Sequence, residues 1–224
     1  DFAGKSGVDI YSGCGTENGC FGNTGNCIEG KNCSFVTRFQ GVSNSSYMIE
    51  ILGELSDKNK YVAAALSLDG LMGDDSVMAC IWNETTSMAE VQMYWTDGYS
   101  SYNGNTTKKF TTYPLDDPSQ GITNVTGQLL DNQLYCSFVR DAETSITPPG
   151  QENAIDFNMN ETPYHILLAI GPLDDNKVGH HTDKAASTET FSFADFNTFL
   201  DTTYAGCGTT FGCFGIPDKC LATF

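Results

Sequence analysis

Seven short apolar runs set the limits on what this chain can fold into. They are SYMIEILGEL (46–55), YVAAALSL (61–68), SVMACIW (76–82), AEVQMYW (89–95), GITNVTGQLL (121–130), QLYCSFVR (133–140) and YHILLAIG (164–171). Each is rich in β-branched or aromatic residues, or alternates apolar with polar, and clusters of Gly, Asn, Asp and Pro separate them. That is the punctuation of short strands joined by turns. Strands at this spacing predict an all-β fold, an antiparallel sandwich or barrel. The one helical expectation is a turn or two at SFADFNTFL (192–200), where Ser192 is placed to cap and Phe193, Phe196 and Phe199 recur at a spacing of three. With 224 residues and 40% apolar content, the chain has the material for a sizeable core.

The cysteines divide the chain further. CGTENGCFGNTGNC (14–27) returns as CGTTFGCFGIPDKC (207–220). Cys14, Cys20 and Cys27 match Cys207, Cys213 and Cys220 at a single offset of 193 residues, and Gly15, Thr16, Gly19, Phe21 and Gly22 recur with them. A fixed offset over so many positions is an internal repeat. The second copy stops before any counterpart of Cys33. Residues 1–33 therefore read as a cysteine-rich collar, 34–200 as the sandwich and 201–224 as a partial second collar. Cys14, Cys20, Cys27 and Cys33 are expected to form two bonds within the collar. Cys80 and Cys136 fall in core strands and are expected to bond to each other across the sandwich. Cys207, Cys213 and Cys220 remain, an odd number, so one thiol is unpaired within the chain or pairs with another molecule.

Charge and modification signals point outside the cell. Nine cysteines at short spacings indicate disulfide use, and six N-x-S/T sequons stand at Asn32, Asn44, Asn83, Asn105, Asn124 and Asn160. The expectation is an extracellular, secreted glycoprotein whose signal peptide has been removed. A net charge of -17 with 11 basic residues repels phosphate backbones and anionic membranes, which makes nucleic acid a poor partner. No apolar run approaches the ~20 residues needed to span a bilayer, so no membrane insertion is expected.

The run YVAAALSLDGLMGDDSVMAC (61–80) resembles the signature of DOMON domains, and most of all those of ferric-chelate reductases and stromal-cell-derived receptor proteins. VQMYWTDGYSSY (91–102) resembles the family's following Tyr-Trp stretch, and QLYCSFVR its later cysteine-containing strand. CGTENGCFGNTGNCIEGKNC resembles the cysteine-rich lead-in to such domains. The likeness extends over most of residues 14–200. It implies an immunoglobulin-like β-sandwich. It also implies, for many members, haem b held between one methionine and one histidine; others bind sugars or no known ligand.

By motif position the methionine is Met72. For the histidine, the family places its ligand after the last long strand and before a Ser/Thr-rich segment, which points to His180 in DDNKVGHHTDKAAST, with His181 one residue away as the alternative. Neighbouring residues are expected to point apart, so only one of the pair faces the iron. His165, inside the YHILLAIG strand, reads as a structural histidine. Asp74 and Asp75 are expected to leave the pocket and meet water, as turn residues or as a negative rim. Trp82, Trp95, Tyr94, Tyr99 and Tyr102 read as core aromatics, with a sugar platform as the alternative.

No GxSxG, Walker, HExxH or CxxC zinc pattern is present, so hydrolase and classical zinc chemistry have no support. The sequence reading is a non-enzymatic haem b-binding electron-transfer module that assembles head-to-tail into extracellular homo-polymers through its C-terminal cysteine stub. The alternative is a structural or adhesive glycoprotein, or a carbohydrate-binding module, without haem.

Overall fold

The computed structural model describes residues 9–97, 100–102, 105–107, 111–148 and 150–198. The partial second collar, with Cys207, Cys213 and Cys220, lies outside the described residues, as does Phe199. The chain runs through β1 (Gly19–Gly22), the single turn α1 (Cys27–Gly30), β2 (Phe35–Ser43), β3 (Ser46–Glu54) and β4 (Lys60–Ser67). It continues with β5 (Asp75–Asn83), β6 (Met88–Asp97), β7 (Ser100–Tyr102), β8 (Asn105–Thr107), β9 (Thr111–Pro114) and β10 (Ile122–Leu130). Then follow β11 (Gln133–Asp141), β12 (Glu143–Ile146), β13 (Ile155–Asn158), β14 (His165–Asp174), β15 (Lys177–Val178) and β16 (Asp183–Ala186). Phe193–Phe196 close the described chain as a 3-10 turn, and the Ser192 side chain makes no capping bond to it.

Two antiparallel sheets form the sandwich. One has the order β1-β2-β3-β11-β10; the other runs β15-β14-β4-β5-β6-β9, with β16 also on β14. Small β7-β8 and β12-β13 ribbons complete the set. All seven expected strands are present. β2, from FVTRFQGVS, is an eighth long strand that the sequence reading passed over.

Alternation along each strand assigns the faces. In the YVAAALSL strand Val62, Ala64 and Leu66 enter the inter-sheet core, where Met78, Cys80, Met93, Trp95, Phe138, Ile166 and Leu168 meet them. The Cys80–Cys136 disulfide joins β5 of one sheet to β11 of the other, with Cα atoms 5.9 Å apart. Phe39, Phe191, Phe193 and Phe196 interlock at one side of this core, ring centroids 4.2–5.6 Å from Phe39, so the 3-10 turn is held by packing where its cap is missing.

The collar packs on the outer face of the five-stranded sheet. Cys14–Cys20 and Cys27–Cys33 are bonded as expected. β1 adds to β2 as an edge strand, Cys20 opposite Arg38. Ile10, Tyr11, Cys27 and Cys33 cover Val36, Leu52 and Tyr135. Arg38 forms an ion pair with buried Glu50, which also accepts a hydrogen bond from the Tyr135 hydroxyl. The same guanidinium donates to the carbonyl oxygens of Asp9 and Ser12, tying the collar to the sheet.

Candidate functional site

The outer face of a sandwich sheet ordinarily meets water and carries polar side chains. On the seven-stranded sheet it does not. Tyr61, Ala63, Ala65, Val77, Ala79, Ile81, Tyr94 and Leu173 form a buried cluster separate from the core, with Leu167, Ala169 and Val178 against it. The three consecutive alanines of β4 produce this surface by alternation: Ala64 points inward, while Ala63 and Ala65 point outward. Ala79 joins them and is fully buried. The floor of this face is therefore apolar and of low relief.

One end of the floor is bounded by the loop between β4 and β5, which carries Met72. Positive φ values at Gly70 (72°), Gly73 (127°) and Asp74 (61°) turn the chain there. The Asp69 carboxylate accepts the Leu71 N–H at 2.9 Å. Asp75 accepts the Gly73 N–H at 2.8 Å and the Thr96 hydroxyl at 2.9 Å. The expectation that both aspartates meet water is therefore correct for Asp74 alone, which is exposed; Asp75 is buried and fastens the loop to β6. Burial raises its pKa to about 6, against the lowering effect of the bonds from Gly73, Ser67 and Thr96. Burial, with the neighbouring Asp97 and Asp69, also raises Asp74. Met72 is half-buried in this loop, between solvent-exposed Leu71 and Gly73.

His165 lies under the same loop. A Cβ on Gly70 would come within 3.2 Å of its ring, so glycine there lets the loop close on the imidazole. His165 Nδ1 is 3.0 Å from the Ser187 carbonyl oxygen. A carbonyl only accepts, so Nδ1 is the donor in this contact, which in a neutral ring leaves the lone pair on Nε2.

The other end of the floor is bounded by a bulge between β15 and β16. Leu173 pairs with Val178 and Ile170 with Asp183, so the four residues 179–182 lie opposite only Gly171 and Pro172. The surplus folds over the outer face. A Cβ on Gly171 would meet the His181 Cα at 2.7 Å and the His180 carbonyl oxygen at 3.0 Å. The Tyr61 hydroxyl donates to the Gly179 carbonyl at 3.0 Å, and the Val178 N–H donates to the Tyr94 hydroxyl at 3.4 Å. The two histidines do not diverge as expected: their ring centroids are 4.6 Å apart with planes inclined by 37°. His180 is exposed and His181 half-buried. Burial, then the charges of His180 and Lys184, push the His181 pKa below its ordinary value, favouring the neutral imidazole.

His165 and Gly171 are both outward-facing positions of β14, and six residues of strand make the interval about 20 Å. The structure thus sets the Met72 loop and His165 at one end of one apolar floor, and His180–His181 at the other. Near the histidine pair the floor is occupied by Tyr61, Tyr94, Leu173 and Val178. Trp95 and Tyr94 are buried on opposite faces of β6, as core aromatics rather than a sugar platform; Tyr99 lies outside the described residues. Asn32, Asn44 and Asn124 are exposed, whereas the side-chain amides of Asn83 and Asn160 donate to Glu90 and to the Asn44 carbonyl. Among the described residues no three His, Cys, Asp or Glu side chains gather into a metal cluster, and no helix is long and apolar enough to cross a membrane.

The comparisons with known proteins agree with this architecture. Residues 31–171 match the family model of the DOMON domain. A putative ferric-chelate reductase 1 homolog of Drosophila melanogaster is 28% identical over 173 residues, 77% of this chain and 24% of its own length. Ferric-chelate reductase 1 of Homo sapiens is 29% identical over 177 residues, 79% of this chain and 26% of its own. The chain thus spans about a quarter of the length of the curated relatives it matches. Among solved structures, the cytochrome domain of Myriococcum thermophilum cellobiose dehydrogenase superposes with a TM-score of 0.51 at 11% identity, covering 77% of this chain and 81% of that one. This likeness is one of fold.

Proposed function

Because this chain belongs to the DOMON domain family, we propose that it binds haem b on the alanine-floored outer face and relays single electrons as an extracellular cytochrome-like module. Met72 would hold the iron together with His165, the imidazole beneath its loop; His180 and His181, the pair expected from the sequence, stand about 20 Å along the sheet, beyond the span of one iron's two ligands. The observation that carries this reading is the closure of the Met72 loop, through Gly70, on the His165 ring at the edge of a buried apolar face.

The residues present fit the group. A thioether and a neutral imidazole are a strong-field pair that keeps iron low-spin, and the thioether favours a raised potential. The alanines offer a flat ring an apolar, unbranched surface. Haem, when bound, supplies the reversible one-electron change. The chain's own residues do the rest. Asp75 fixes the loop that presents Met72. Tyr61 and Tyr94 hold the bulge that carries His180 and His181. Val77, Ile81 and Leu167 keep water from the floor. Asp69 and Asp74 make the Met72 end acidic. The Ser187 carbonyl oxygen engages His165 Nδ1, which leaves Nε2 as the nitrogen for the iron, and His180 and His181 are the controls. Three disulfides and the exposed sequons support an extracellular site of action.

Haem offered to the purified chain is expected to give a Soret band, with sharp α and β bands on reduction. Met72→Ala should convert the spectrum to a five-coordinate or high-spin form. Of the three single changes His165→Ala, His180→Ala and His181→Ala, the first should do the same and the other two should not. A chain that stays colourless with excess haem would end the proposal.

Head-to-tail assembly is a second, compatible reading. The GCFG segment of the first collar acts as an edge strand on β2, and residues 212–215 repeat it. The copy has the sequence to add in the same way to another chain. Non-reducing electrophoresis that shows only monomers would remove this reading.

A further inference from the structure

Arg140 lies on β11 and, by the alternation that sends Leu134, Cys136 and Phe138 inward, it also faces the inter-sheet core. It is fully buried. One guanidinium nitrogen, Nη2, donates to the Ser76 hydroxyl across the sandwich at 2.9 Å. The guanidinium carbon sits 6.0 Å from the centre of the Phe157 ring. Nε and Nη1 have no hydrogen-bond partner. The buried Nε1–H of Trp95 has none either, and the Trp95 ring lies 6.4 Å from the same Phe157 ring. Trp95 and Ser76 are direct partners in the β5–β6 ladder. Three unsatisfied donor nitrogens, contributed by both sheets, therefore belong to side chains that flank one aromatic ring in the core.

Neither buried carboxylate supplies their counter-charge. Glu50 is bonded to Arg38 and Tyr135 on the outer face of the five-stranded sheet. Asp75 points to the opposite side of β5 from Ser76, toward Gly73 and Thr96. Asp141 is exposed. A guanidinium stays protonated at neutral pH even where burial lowers its pKa to about 10. An isolated buried charge is strongly destabilising unless something pairs with it.

We infer that the core between Arg140 and Trp95 holds a small monovalent anion of the halide class. The donor set decides the ligand's chemistry. Arg140 and Trp95 only donate, and a halide only accepts and neutralises; a water placed there must itself find acceptors for two hydrogens. This site is independent of haem, which the proposal above seats on the far side of the same sheet.

The test uses the full chain exchanged into gluconate buffer at fixed ionic strength, then titrated with chloride or bromide. The unfolding temperature should rise by about 3–8 °C and level off, as for a ligand bound only by the folded state. Trp95→Phe, which keeps the charge, should weaken the response at least several-fold. Arg140→Met should abolish it and be as stable without halide as with it. Crystals grown in bromide should give an anomalous peak within hydrogen-bond reach of Arg140 Nη1 or Nε. Equal unfolding temperatures in gluconate and chloride, or ordered water at that position with no anomalous signal, would overturn the inference. Should Arg140→Met fail to fold, Trp95→Phe and the bromide peak still decide it.

Discussion

The two sheets cover their outer faces by different means. On the five-stranded sheet the cover is a covalently stapled collar: two disulfides, an added edge strand and the Arg38–Glu50–Tyr135 network hold it down. On the seven-stranded sheet the cover includes a loop and a bulge held by hydrogen bonds, among them those that Asp75 and Tyr94 accept and Tyr61 donates, with no disulfide among the described residues. The first face presents Val36, Leu52 and Tyr135 beside the Arg38–Glu50 pair to its cover; the second presents alanines flanked by Tyr61 and Tyr94. A cover that is cross-linked protects a sheet, whereas one held by a few hydrogen bonds over a low-relief floor can yield to a ligand. The difference supports the second face as the place where the proposed haem would bind.

Three experiments would break or sharpen that contrast. The largest effect is expected at the link between the sheets. Cys80–Cys136 spans 56 residues of chain and Cys14–Cys20 spans six. Replacing Cys80 and Cys136 by Ala should cost about 4 kcal/mol in denaturant unfolding, against about 2 kcal/mol for Cys14 and Cys20, if loop closure dominates. Equal costs would mean that local packing sets the value of each bond. Next is Glu50→Gln, which leaves Arg38 without its carboxylate beneath the collar. A loss of about 3 kcal/mol is expected, with faster proteolysis confined to residues 9–33, while the haem spectrum is unchanged.

The smallest effect concerns the loop cover and pH. The native pKa of Asp75 is raised, so the folded chain binds its proton more tightly than the unfolded chain. The stability this contributes is present at pH 4 and is lost as pH rises toward and through about 6. Asp75→Asn should flatten that slope by about 2 kcal/mol or less between pH 4 and 7, measured by urea unfolding at fixed salt. A slope unchanged by the substitution would show that Asp75 does not control the loop.

Much of this was legible in advance because period-two patterning reports faces directly. YVAAALSL and SVMACIW gave strands, and the positions of Cys80 and Cys136 within core strands gave their bond. FVTRFQGVS escaped because Arg38 and Gln40 interrupt an otherwise apolar run, and what Arg38 meets is Glu50, a neighbour only in three dimensions. The alanine floor carried a signal that could have been used: three alanines in succession within a strand mean that neither face has room for bulk or contact with water. Met72 could be placed by motif. The geometry of His180 and His181 could not, since it depends on a bulge whose register is set by β14. Asp75 was misjudged because carboxylates beside glycine read as turn residues; Thr96, its anchor, is distant in sequence.

That bulge has a further consequence. The ladders on either side of it are fixed at Leu173–Val178 and Ile170–Asp183, so any change of chain length in this region must be absorbed between residues 179 and 182. Losing or gaining one residue there would exchange the imidazole offered to the floor for its neighbour, or for Gly179 or Thr182, without disturbing a strand. Which side chain this segment turns to the floor is thus a matter of arithmetic over four residues, and adjacent histidines leave an imidazole there when the count shifts by one.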